Sequence, residues 1–310
     1  MKCVKVRARD YDALKSTLRD VRDTSFSVVR EGDFLLVPVK SEIGELEVVE
    51  CRPRSRPKTP KLRELVPGVS GFLIIGDIAL VTPKVPVDLA KLASSIMRSN
   101  PRVKAVFLRT KVEGDLRLNS VKHIGGEMRT KTLIKEGGMS FLVDVAKVYV
   151  NPTLAGEREK TSREAQGRRI LDAFSGYGPL GLRIAKRGKY VVLGDLNLDG
   201  LLMGRENAEL NKVISVDLVN YDAHYLPFRD RAFDLTIADH PTMVWEFKWE
   251  LCRVSKEVVF YVLAKGEEEA SLKLWPASWE EINEYSKHLR VFKGRVRCDQ
   301  VNLNSQAPPQ

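Results

Sequence analysis

Residues 170–179 read ILDAFSGYGP, and the next apolar run, VVLGDLN at 191–197, carries Asp195 near its end. An apolar strand closing on an acid, a small-residue turn at Ser175-Gly176-Tyr177-Gly178 and a helix from Leu180 to Lys186 predict the opening of a doubly wound α/β sheet. Gly176 and Gly178 let backbone N–H groups approach a ligand closely, and the helix N-terminus favours an anionic group such as a carboxylate. Asp195, at the end of the second strand, suits the two hydroxyls of a ribose. Gly181 stands where a dinucleotide fingerprint wants its third small residue, so the pattern alone leaves a nicotinamide cofactor open. Asp172 points elsewhere: it would repel a pyrophosphate but pair with an ammonium or sulfonium. S-adenosylmethionine has both cations, a carboxylate and a ribose, and is the cofactor these residues favour.

Outward from this stretch, strands are expected at Ile170, Val191, Ile214, Leu235, Val258 and Val291, with helices between most of them. VFKGRVRC (291–298) and QVNLN (300–304) are close enough to form an antiparallel hairpin at the sheet edge, as methyltransferase versions of this fold do. The fourth strand ends FDLTIADHPT, so Asp239, His240 and Pro241 should face the reactive end of a ligand. Asp239 reads equally well as the cap of a following helix. His240 lacks the partners of a catalytic triad. Asp222, in NYDAHYL, closes the third strand where an acid can meet an adenine amino group.

Upstream, CVKVRA predicts a strand, DYDALKSTLRDV a helix, and FSVVREGDFLLVPVK a hairpin turned at Glu31-Gly32-Asp33. Further elements are a strand pair around Gly76-Asp77, a helix from Asp88 to Arg98, the strand AVFLRTKVEG, and a hairpin within 132–150 turned at Gly137-Gly138. The organisation expected is a small domain at 1–50, a basic Pro-rich linker at 51–66, a middle domain at 67–148 and a catalytic domain at 149–310. The linker CRPRSRPKTPKLRE holds six Lys or Arg and three Pro, too few apolar groups for a core.

The 310 residues are 43% hydrophobic and 30% charged, a globular composition. No apolar run approaches the length of a membrane span and the N-terminus is no signal peptide, which predicts a cytoplasmic protein. A net charge of +10 points to a polyanionic partner, nucleic acid being the commonest. Cys3, Cys51, Cys252 and Cys298 lack metal-ligand spacing, so no structural metal is expected. A Cys3–Cys51 pair would be unusual in a cytosolic protein outside a hyperthermophile.

The segment FLVDVAKVYVNPTLAGERE (141–159) closely resembles a signature of the archaeal and eukaryotic tRNA guanine-37 N1-methyltransferases. EGDLRLNSVKHIGGEMRTKT (113–132) and DAFSGYGP (172–179) resemble the same family, as do GDFLLVPV and GFLIIGDIALV. The resemblance implies a class I S-adenosylmethionine-dependent methyltransferase preceded by two small α+β RNA-binding domains, monomeric. Its partner would be tRNA, sensed at the elbow and gripped at the anticodon stem-loop. It also implies Arg117 as catalytic arginine, Glu157 as general base and Asp239 in place of an asparagine. Tyr149, Asn151 and Pro241 would lie against the target base. Asp172, Phe174, Gly176, Gly178, Pro179, Asp195, Leu196, Asp222 and Ala223 would hold the cofactor. Two departures stand out: NPTL where the family reads SPRL, losing an arginine at Thr153, and DHP for NLP.

Guanine N1 must lose a proton before it attacks a methyl carbon. A partly buried Glu157, its pKa expected to rise, would take that proton, and Arg117 would stabilise charge at O6. The rival readings are methylation of a wyosine intermediate at the same position, aminocarboxypropyl transfer to a wyosine precursor, and a non-catalytic tRNA-binding protein. Pro179, where the aminocarboxypropyl enzymes usually have an aromatic, speaks against the second.

Overall fold

The structure, a computed structural model, describes residues 1–41, 44, 46–55, 60–69, 71–113, 118–275 and 278–301. The chain divides into two compact units after Leu65. In the first, β1 (Lys2–Arg7) is followed by α1 (Tyr11–Leu18), β2 (Val29–Glu31), β3 (Phe34–Pro38), β4 (Val48–Glu50) and a single turn, α2 (Leu62–Leu65). The strands form an antiparallel sheet in the order β2-β3-β1-β4. Val4 and Val6 of β1 alternate onto the face where Leu18 of α1 packs, with Val37 and Val39 beside them. Cys3 and Cys51 are joined in a disulfide with Cα atoms 5.8 Å apart. The stretch expected to begin the linker is therefore tied down: Cys51 N–H donates to Met1 O, and Ser27 N–H donates to Arg54 O.

The second unit opens with β5 (Leu73–Ile75), β6 (Ile78–Val81), α3 (Leu89–Ser99), β7 (Ala105–Glu113) and β8 (Leu118–Gly126). Asp88 caps α3, accepting the N–H groups of Ala90 and Lys91 at 2.9 and 3.1 Å, the arrangement that satisfies otherwise orphaned donors. A hairpin follows, β9 (Lys131–Glu136) and β10 (Met139–Asp144), then α4 (Ala155–Glu164). The remaining elements are β11 (Arg169–Asp172), α5 (Gly181–Ala185), β12 (Tyr190–Asp195), α6 (Leu198–Leu210), β13 (Val216–Asn220), β14 (Leu235–Asp239), α7 (Lys248–Val254), β15 (Glu257–Ala264), α8 (Glu267–Lys273), β16 (Trp279–Ser286) and β17 (Leu289–Arg297). They build a seven-stranded sheet in the order β13-β12-β11-β14-β15-β17-β16. Neighbours from β13 to β15 are parallel, while β17 runs antiparallel to β15 and β16 antiparallel to β17. This is the class I Rossmann-like sheet expected from the glycine turn. Its strand order reverses between β11 and β14, where such sheets bind ligands.

One expectation fails here. The edge hairpin pairs β17 with β16, not with QVNLN; Gln300 and Val301 lie past the last strand, and 302–304 lie outside the described residues. β16 reads WEEINEYS and exposes most of its residues. Its charges suit an edge strand, which must resist pairing with other chains, but they hide its strand character from an apolar pattern.

Packing runs across residue 148. The amide of the fully buried Asn207, on α6, accepts Leu142 N–H at 2.6 Å and donates to Leu142 O and Tyr177 O. Asn211 clasps Ser140 in the same way. At the hairpin tip, buried Glu136 takes a bidentate pair from Arg158 of α4 (2.8 and 2.6 Å) and another bond from Arg183 of α5 (2.9 Å). All three side chains are less than a tenth exposed, so each charge depends on its partners. Cys252 of α7 is bonded to Cys298, just past β17; this second disulfide accounts for the remaining two thiols. Among the described residues no helix is long and apolar enough to cross a membrane, and no group of His, Cys, Asp or Glu could hold a metal ion.

Candidate active site

The carboxyl ends of the parallel strands and the segment before β11 open on one cleft with about 280 Å³ of free space. The glycine turn forms its floor. Gly176 and Gly178 adopt φ values of 52° and 80°, a region that other residues enter only at a cost. Gly178 shapes the turn without lining the cleft; Gly176, Phe174 and Pro179 face it. Gly181 is a packing glycine: a Cβ there would run into Leu193 of β12. The third small residue thus serves close packing of α5 on β12, a role that does not itself distinguish one nucleoside cofactor from another.

Three carboxylates surround the floor. Asp172, fully buried at the end of β11, accepts Gly181 N–H at 2.8 Å. Burial pushes its pKa up to about 7, against the opposing Gly181 N–H and with help from Asp239 and Asp195. Asp195 accepts Gly176 N–H at 2.6 Å on one oxygen and Asn197 N–H at 2.8 Å on the other; burial raises its pKa too, and those N–H groups oppose the rise. Asp222, two residues beyond β13, is exposed and held by His224 through its backbone N–H (2.9 Å) and ring Nδ1 (2.7 Å). The backbone bond first, then the ring, lowers its pKa. Leu196 and Ala223 lie beside these acids on the cleft wall.

The donor set fits a cationic nucleoside. Buried acids await positive charge, and the buried Ser175 Oγ in the same wall has no hydrogen-bond partner among the described residues. A pyrophosphate would meet only repulsion from Asp172 and Asp239.

The opposite wall is aromatic. Phe174 packs on His240 (ring centroids 5.1 Å apart) and Phe247 (5.4 Å), and His224 packs on Phe247 (4.6 Å). His240 thus packs in an aromatic stack with Phe174 and Phe247. Asp239 does not cap a helix: the turn and helix that follow β14 begin at Val244 and Lys248. It faces the cleft with Pro241, whose carbonyl accepts Leu263 N–H at 2.8 Å and pins the loop to β15.

Glu157 occupies the first turn of α4, its side chain 14% exposed. One oxygen, Oε1, accepts Tyr261 OH at 2.7 Å, Thr161 Oγ1 at 2.9 Å and Lys293 Nζ at 3.0 Å. Oε2 has no donor among the described residues. The expected rise in pKa is not found. Burial does push it up, but the hydrogen bonds from Tyr261, Lys293 and Thr161 and the Lys293 charge together outweigh burial. The carboxyl therefore sits below the usual glutamate value and is ionised at neutral pH. Any base chemistry must rest on its placement rather than on raised basicity.

Tyr149 stands at the cleft mouth, 39% exposed. The Asn151 carboxamide oxygen caps the short 3-10 turn Pro152–Leu154, accepting Thr153 N–H and Oγ1 at 3.1 and 2.6 Å. Its backbone carbonyl accepts from Arg158 at 3.1 Å, so Asn151 braces the turn as well as lining the cleft. Thr153, which stands where the family reads arginine, is spent on this local bond. Arg117 lies outside the described residues. Tyr261, Lys293 and Phe247 escaped sequence reasoning, because each lies inside an ordinary apolar strand or helix pattern and gains meaning only from what it faces. Ile282, Asn283 and Tyr285 reach the cleft from β16 and were missed with that strand.

Residues 132–286 match the TRM5/TYW2 methyltransferase domain. The chain belongs to this family. It is 34% identical over 232 residues to tRNA (guanine(37)-N(1))-methyltransferase Trm5b of Pyrococcus abyssi, covering 69% of each chain. It is 32% identical over 200 residues to tRNA 4-demethylwyosine(37)-methyltransferase Taw21 of Saccharolobus solfataricus, covering 62% of this chain and 73% of that one. The crystal structure of Trm5b from Pyrococcus abyssi superposes with a TM-score of 0.64 at 28% identity, covering 96% of this chain and 99% of that one. Family membership and the acids of the cleft agree on S-adenosylmethionine as the cofactor.

Proposed function

We propose that this protein methylates N1 of guanosine-37 in tRNA. The observation that carries the reading is the meeting, in one cleft, of the glycine turn and its acids with Glu157. S-adenosylmethionine supplies an electrophilic methyl group. Asp172 and Asp239 favour its positive charge, Asp195 its ribose, and the N–H groups of the turn its carboxylate. The Phe174 and His240 wall keeps water from the reacting atoms. Glu157 Oε2 receives the proton of guanine N1, and Arg117, assigned from the sequence, stabilises the charge that develops at O6. Tyr149 packs against a base splayed from the anticodon loop. Positioning supplies most of the remaining rate.

The test is methyl transfer from labelled cofactor to tRNA transcripts bearing guanine, inosine or adenine at position 37. Guanine and inosine, which share N1–H and O6, should accept label and adenine should not; equal labelling of adenine would refute the role given to Glu157. A second reading, methylation of a 4-demethylwyosine intermediate, draws on the Taw21 relative and on Thr153 in place of an arginine. Presenting both substrates in one assay separates them. Aminocarboxypropyl transfer is disfavoured by Pro179 on the cleft floor, and a purely tRNA-binding protein by the intact acids and Glu157.

A further inference from the structure

Lys293 is unusual among the basic residues of this chain. It lies on β17, at the centre of the edge hairpin, and its side chain is only 9% exposed. Its ammonium has three acceptors: Thr161 Oγ1 at 2.8 Å, Glu164 Oε2 at 2.8 Å and Glu157 Oε1 at 3.0 Å. A buried ammonium is costly unless every proton is paired, and here all three are. The same nitrogen lies 5.9 Å above the Tyr261 ring, whose hydroxyl also donates to Glu157. Its approach to Oε1 places its charge on the same carboxylate oxygen that Tyr261 and Thr161 engage.

We propose that Lys293 is a positioning residue for the methyl-transfer reaction, holding Glu157 by Oε1 so that Oε2 is presented, ionised, to the target base. This rests on the reading of Glu157 as the base. Three donors on one carboxylate oxygen fix the carboxyl plane as well as its charge. Lys293 is the only cation among the three, so it alone adds a charge to its hydrogen bond in offsetting burial. The other charged and titratable groups around Glu157 do not replace it. On α4, Lys160 pairs with Glu280 of β16 and with Glu164, and Glu164 is itself an acid. Arg158 is committed to Glu136. Tyr261 of β15 and Asp239 of β14 bring no positive charge. Without Lys293, burial and the remaining acids would hold Glu157 partly protonated at mildly acidic pH.

The experiment is the pH profile of single-turnover methyl transfer to guanine-37 tRNA, from pH 4 to 8, for wild type, Lys293→Met, Lys293→Arg, Tyr261→Phe and Glu157→Gln. Lys293→Met should move the acid limb upward by about one pH unit or more, Lys293→Arg should keep it near wild type, and Tyr261→Phe should move it less than Met. Cofactor affinity should stay unchanged in Lys293→Met and Lys293→Arg, since Lys293 does not line the cleft. If Lys293→Met is folded, inactive Glu157→Gln confirms the base, and the Met limb still superimposes on wild type, Lys293 has no such role. If Lys293→Met fails to fold, Tyr261→Phe decides: a limb that does not move refutes the shared anchoring of Oε1. Full activity of Glu157→Gln would instead refute the base itself, whatever Lys293 does.

Discussion

The two halves of the cleft are built in different ways. The cofactor half is local: Asp172, Gly176, Gly178 and Gly181 fall within ten residues of chain, and Asp195 closes the next strand. The base half is assembled from afar: Glu157 on α4 meets Tyr261 on β15 and Lys293 on β17, contacts that span more than a hundred residues. A local site can be written as a motif, because its geometry follows from one strand, one turn and one helix. An assembled site depends on the register of the whole sheet, so its chemistry is set by partners that no spacing announces.

That contrast predicts which changes separate binding from chemistry. The largest effect belongs to the assembled half. Glu157→Gln should lower the single-turnover rate about 10²–10⁴-fold while calorimetry finds cofactor affinity unchanged; a parallel loss of both would merge the two halves into one. Next is the disulfide that anchors the end of β17 to α7. The loop between Cys252 and Cys298 is 46 residues, for which chain-entropy arguments give about 4 kcal/mol. Replacing both cysteines with serine should lower the melting temperature and weaken methyl transfer more than cofactor binding.

In the local half, Asp172→Asn should weaken S-adenosylmethionine binding roughly 10²-fold, the scale expected for a lost charge pair in a buried site. It should weaken binding of the demethylated product less, since that product keeps the ammonium but has lost the sulfonium charge. The same substitution should stabilise the ligand-free protein near neutral pH, a trade between stability and function seen at many sites. The smallest effect is the pH dependence itself. Asp172 is held up to about 7 in the folded protein against an ordinary value of 3.8. A carboxyl raised on folding keeps its proton while the unfolded chain has lost it, so its contribution to stability falls as pH climbs from about 4 to 7 and is level above that. Cofactor binding has the opposite slope: the cation prefers the ionised acid, so affinity should tighten up to about pH 7 and then level, with proton release detectable by calorimetry in buffers of different ionisation enthalpy. Affinity that is flat from pH 5.5 to 8 would mean that Asp172 is already ionised.

Much of this molecule was legible in its sequence for the same reason. β11, β12 and β14 are near-continuous apolar runs ending in Asp172, Asp195 and Asp239, and glycine turns at Gly76, Gly137 and Gly176 punctuate the chain. β16 was not legible, because an edge strand carries the charges that a core pattern excludes. The Glu157 pKa was misjudged for a related reason: burial can be guessed from a first-turn helix position, but the donors that reverse its effect come from strands far along the chain. The NPTL turn was seen as a departure in sequence, and only the structure shows Thr153 spent on Asn151.

The most direct measurement is the mass of the nucleoside at position 37 after incubating the protein and S-adenosylmethionine with a guanosine-37 tRNA transcript. The account predicts one added methyl group, located on N1. An aminocarboxypropyl adduct, a methyl group elsewhere on the base, or unmodified guanosine despite bound cofactor and tRNA would contradict it.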